Sequence, residues 1–102
     1  MEAEFTYIEI VANYKGDEYH IAQERTLCDT TFNIHLKNRP RYQAQIVIRE
    51  EGVNEFTFFD WAAAEVDRQD ISWDTENLEY LLTRGMSLLI NIINQKEAPF
   101  VE

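Results

Sequence analysis

Along the first sixty positions the chain alternates apolar and polar residues, and near its end the spacing changes to threes and fours. Alternation with period two marks strands whose side chains point to opposite faces of a sheet, and a three-and-four spacing marks one face of a helix. Glu4 to Asn13 (EFTYIEIVAN) reads as a strand rich in β-branched and aromatic residues. Ile8, Ile10 and Ala12 fall on one face, and Phe5, Tyr7 and Val11 share the other with Glu9. Apolar on both sides, it is expected in the middle of a sheet, or on a sheet whose second face is partly covered. Tyr14-Lys15-Gly16-Asp17 is a turn signal, and Glu18 to Arg25 suits the returning strand of a hairpin.

Three further strands follow. Thr31 to Lys37 sends Phe32, Ile34 and Leu36 one way and Asn33, His35 and Lys37 the other, and Pro40 interrupts the alternation. Tyr42 to Arg49 repeats it, with Tyr42, Ala44, Ile46 and Ile48 on one face. Glu50 to Asn54 is a hairpin loop containing Gly52, and Glu55 to Phe59 returns with Phe56 and Phe58 inward. The segment Asp60 to Ser72 has two readings. Residues 61–66 form a short helix capped by Asp60, or the preceding strand runs on and then loops.

The clearest element is a helix from Thr75 to Lys96. Leu78, Leu81, Leu82, Gly85, Leu88, Leu89, Ile92 and Ile93 make a continuous apolar stripe. Asp74 or Thr75 is the expected cap, Glu76 and Glu79 suit the first turn, and Pro99 follows the end. Gly85, on the stripe, implies close approach of helix to sheet. The predicted fold is α+β and two-layered: an antiparallel sheet of four or five strands packed on one long C-terminal helix, as a single domain over residues 1–102. Its inner layer is expected to hold Ile8, Ile10, Phe32, Ile34, Leu36, Ala44, Ile46, Ile48, Phe56 and Phe58. The pattern leaves the strand order open.

Composition narrows the function. A single cysteine, Cys28, permits no intrachain disulfide, the start is acidic, and no apolar run reaches membrane-spanning length. A soluble, cytoplasmic protein is the expectation. The net charge is −10, which opposes direct binding to nucleic-acid backbones. That charge is uneven: residues 50–79 carry ten acids against Arg68 alone.

The candidate chemistries are weak. His20, Cys28 and His35 fit no metal-ligand spacing. Cys28 lies beside Asp29, which disfavours a thiolate nucleophile, and the expected environments are two solvent-accessible histidines and a part-buried cysteine. No phosphate loop, nucleophile elbow, zinc-protease helix or calcium loop occurs. No catalytic residue, metal or cofactor is assigned. Lys37, Arg39, Arg41 and Arg49 form the one basic cluster, read as protecting the sheet from edge pairing or as holding an anion.

The acidic segment is the most informative feature. Asp60, Trp61, Glu65, Asp67, Asp70 and Trp73 combine spaced carboxylates with tryptophans, a composition suited to a binding surface. The leading expectation is a non-enzymatic interaction module, like a small acidic inhibitor, immunity or adaptor protein, binding a basic protein partner. One alternative is a small-ligand domain or minor enzyme with a pocket between the sheet and residues 60–73. Another is a homodimer joined through the face bearing Phe5, Tyr7 and Val11.

Overall fold

The computed structural model describes residues 6–97. Six strands precede one helix: β1 (Thr6–Tyr14), β2 (Asp17–Arg25), β3 (Asp29–Leu36), β4 (Tyr42–Arg49), β5 (Asn54–Asp60), β6 (Glu65–Ile71) and α1 (Leu78–Lys96). The strands lie in chain order, β1-β2-β3-β4-β5-β6, each antiparallel to its neighbours. Short connections explain this meander, because each strand has room only to return beside the one before it.

The sheet therefore has six strands, not four or five. The additional one, β6, lies in the segment expected as short helix or loop. Its sequence, Glu-Val-Asp-Arg-Gln-Asp-Ile, is exposed at every position but Ile71. With neither face covered, no apolar alternation was selected there. β1 also differs from expectation: it is an edge strand, with Tyr7, Ile8 and Val11 substantially exposed. Ile8 faces the helix side with Ile10 but is 46 % exposed there and does not pack on the core. Phe5 and Pro99 lie outside the described residues.

The inner face of the sheet packs on α1. Tyr19, Ile21, Phe32, Ile34, Leu36, Tyr42, Ala44, Ile46, Phe56, Phe58 and Ile71 meet Leu81, Leu82, Met86, Leu89 and Ile93. Ile10, Ala12 and Ile48 pack at the margin of this core. Met86 was not on the expected stripe, and Leu78 at its start is 44 % exposed. The close approach at Gly85 is real. A Cβ there would come within 2.7 Å of Ile34 Cδ1 and 2.8 Å of Ile46 Cδ1.

The helix begins at Leu78, three residues after Thr75. Asn77 is the cap, its side chain accepting from the Tyr80 N–H at 3.0 Å. Asp74 is occupied one turn earlier, accepting from the Glu76 N–H at 2.9 Å. Across the outer face, the Asn33 carbonyl accepts from Gln43 and Gln45, both at 2.9 Å, which explains why polar residues are tolerated on those central strands.

Candidate protein-interaction surface

The β5–β6 hairpin carries most of the residues singled out in the acidic segment. Asp60 ends β5 opposite Glu65, and Trp61 to Ala64 form the turn between them. Asp60 is 1 % exposed. Arg41 grips it with two parallel bonds, Nε to Oδ1 at 2.7 Å and Nη2 to Oδ2 at 3.1 Å. The Ala63 N–H also donates to Asp60, at 3.3 Å, and the Trp61 N–H donates to the Arg41 carbonyl at 2.9 Å. The Arg41 bonds, joined by the Ala63 N–H against the cost of burial, hold the Asp60 carboxyl below its ordinary range. Asp60 is therefore an internal fastener of the turn and is not itself presented to solvent.

Fixing the turn fixes Trp61. Its ring stacks on Phe59 at 5.1 Å between centroids and 6° between planes, and the residue stays 56 % exposed. Phe59 pairs with Val66, itself 50 % exposed, so Trp61, Phe59 and Val66 make an apolar patch on the outer face. On the helix side, Lys96 donates to Glu65 at 2.7 Å, lies 4.0 Å from Asp60, and covers the Phe58 ring at 5.8 Å. The Glu65 bond is the main reason the Lys96 amine holds its proton above the usual range.

Asp67 and Asp70 are exposed on opposite faces of β6, and among the described residues neither has an ion-pair partner. Asp70 stands directly opposite Glu55, a like-charge pairing that disfavours the sheet, relieved by Arg49 at 3.4 Å from Glu55. Trp73 is separate from the Trp61 patch. It packs on Phe56 at 6.1 Å, with the Arg84 guanidinium over its face at 5.0 Å. The hairpin thus carries Trp61 and Asp70 on the outer face and Glu65 and Asp67 on the helix side, uses Asp60 to support its turn, and leaves Trp73 beside the helix.

The remaining candidates are scattered. Arg39, Arg41, Arg49 and Lys37 each have a carboxylate within ion-pair distance, namely Glu97, Asp60, Glu55 and Glu18. Their charges are thus balanced internally. His20 and His35 stand opposite each other on the outer face, and burial, then His20, lowers the His35 pKa. Cys28 is exposed rather than part-buried. Among the described residues no cluster of three or more His, Cys, Asp or Glu is arranged to hold a metal, and no helix is long and apolar enough to cross a membrane.

Concavities occur elsewhere. One of about 250 Å³ lies over β1 to β3 between Tyr7, Val11, His20 and His35. Another, of about 270 Å³, lies between Tyr14, Tyr19 and the helix residues Ser87 and Asn94. Tyr19 is fully buried and its hydroxyl has no partner among the described residues, and burial pushes its pKa up to about 12. Comparison with known protein families, curated proteins and solved structures finds no match.

Proposed function

We propose that the chain is a non-enzymatic interaction module that binds a basic protein through the β5–β6 hairpin. The observation that carries this reading is the composition of β6: six of its seven residues are exposed, three of them carboxylates, next to a turn whose exposed tryptophan stacks on Phe59. Unpaired carboxylates accelerate encounter with a positive surface, and an aromatic anchor supplies contact area once the partner arrives. Glu65 is shared with Lys96, so Asp67 and Asp70 are the carboxylates most available to a partner. Trp73 contributes by tying the chain after β6 to the core.

Affinity capture from the source cell extract at low and high salt tests this reading. The expected result is a basic protein retained by the wild type at low salt, released by high salt, and lost by the double variant Asp67→Lys/Asp70→Lys and by Trp61→Ala. Equal retention by all three chains, each with an unchanged circular dichroism spectrum, contradicts the reading. The small-ligand alternative draws less support. Gly85 brings α1 flush against Ile34 and Ile46, and the concavity of about 260 Å³ that Trp73 lines with Arg84, Leu88 and Asn91 opens beside the helix and not beneath it.

A further inference from the structure

The two edges of the sheet are chemically unlike. β6 is dense in charge, which discourages another strand from adding to it. β1 has one charged residue, Glu9, and neither proline nor lysine. Its register with β2 runs unbroken from Thr6 to Tyr14, so no bulge twists the edge away. Tyr7, Ile8 and Val11 are 51 %, 46 % and 62 % exposed. Among the described residues no strand pairs with its far side.

The hydrogen-bonding phase of that edge follows from the turn. Lys15 and Gly16 have φ of 52° and 88°, the values of a type I′ two-residue turn, which makes Tyr14 and Asp17 a hydrogen-bonded pair. The even-numbered residues of β1 therefore bond to β2. The N–H and C=O groups of Tyr7, Glu9, Val11 and Asn13 point to the open side. The Lys37 N–H bond to the Glu18 carbonyl agrees, since it turns the even-numbered groups of β2 towards β3.

We infer that a second copy of this chain adds to this edge, β1 against β1 and antiparallel, about a two-fold axis at Ile10, giving one continuous sheet. Ile10 is the midpoint of Thr6–Tyr14, so the whole strand is paired. In that register every outward N–H and C=O of Tyr7, Glu9, Val11 and Asn13 meets a partner. Glu9 faces Val11 of the second copy, Tyr7 faces Asn13, and Ile8 faces Ala12. No like charges stand opposite each other, whereas an axis at Glu9 would oppose two carboxylates. On the helix side, Ile8 and Ile10 extend the core margin to their counterparts.

Charge distribution favours a copy at this edge. The net charge of −10 repels like chains in general, but its excess lies in residues 50–79, which form β5, β6 and their flanks. Five strand spacings separate β1 from β6, roughly 24 Å at ~4.8 Å each, against a Debye length of about 8 Å at physiological salt. The two-fold places the acidic edges at the outer ends of the joined sheet, leaving the hairpin of one copy clear of the other.

Sedimentation equilibrium of the full chain, from micromolar to millimolar, tests this. The expected mass at high concentration is twice the 12.1 kDa of one chain. Val11→Glu, which sets a carboxylate opposite Glu9, and Val11→Pro, which removes an outward N–H that β2 does not use, should both give monomers with unchanged circular dichroism. In a Cys28→Ser background, Ile10→Cys should form an interchain disulfide and Glu9→Cys should not. A monomer at all concentrations, a dimer that persists in folded Val11→Glu, or preferential cross-linking at Glu9→Cys each overturns the inference.

Discussion

Ala64 closes the β5–β6 turn with a φ of 55°, in the left-handed region where a Cβ crowds the following carbonyl. Relieving that strain should stabilise the chain, so Ala64→Gly is expected to gain about 1 kcal/mol in urea unfolding. A loss would show that the turn is held by contacts of the alanine methyl. Asp60 beneath it sets an acid limit. Its pKa is lower folded than unfolded, so its contribution is present above the ordinary carboxylate range and is lost as pH falls through the folded value. His35 acts earlier. With its folded pKa lowered, the unfolded chain takes up that proton more readily, so stability declines as pH falls below about 6.5. Thermal melts between pH 7 and 3 should show both declines. His35→Gln should remove the first and Asp60→Asn should flatten the second, at the cost of a lower Tm throughout. A pH profile unchanged by either variant contradicts the assignment. None of this was legible in the chain. Arg41 and Asp60 lie nineteen positions apart, and nothing in either neighbourhood announces the pair.

At the scale of elements, legibility followed coverage. β3, β4 and β5 have one buried face each, and their alternation was plain, as was the helical stripe through Leu81, Leu89 and Ile93. β6 was invisible because the helix does not cover it, and the apolar composition of β1 suggested a central place that it does not occupy. Gly85 could be read from its position on the stripe, and it yields a sharp test. Alanine there gains about 1 kcal/mol of helix propensity but drives its Cβ against Ile34 Cδ1 and Ile46 Cδ1. In this tightly packed core, overpacking typically costs about 1–3 kcal/mol. Gly85→Ala should therefore destabilise the wild type and become stabilising when Ile34→Val and Ile46→Val remove those methyl groups. The same sign in both backgrounds contradicts the packing account. Of the candidate site, the opposite faces of Asp67 and Asp70 were hidden by the unpatterned acids of β6, and only the density of acids around Trp61 was legible. The division of labour was not, because which carboxylate is buried depends on the pairing of β4 with β5.

For the molecule as a whole, the architecture separates tasks. One face of the sheet holds the core, the other carries an amide network, and the two edges carry opposite chemistries. Trp61 is half exposed and lies outside the core, so Trp61→Ala should cost little more than its stacking on Phe59, about 0.5–1.5 kcal/mol, while removing partner binding. A large loss of stability would instead make it a structural residue. The central claim, that the carboxylate-lined hairpin receives a basic protein, is tested most directly by nuclear magnetic resonance. The ¹⁵N-labelled chain is titrated with the captured partner. The account predicts amide shift changes concentrated from Trp61 to Asp70, fading with added salt. Changes centred on His35, Asn33 and Gln43, with the hairpin unmoved, would contradict it.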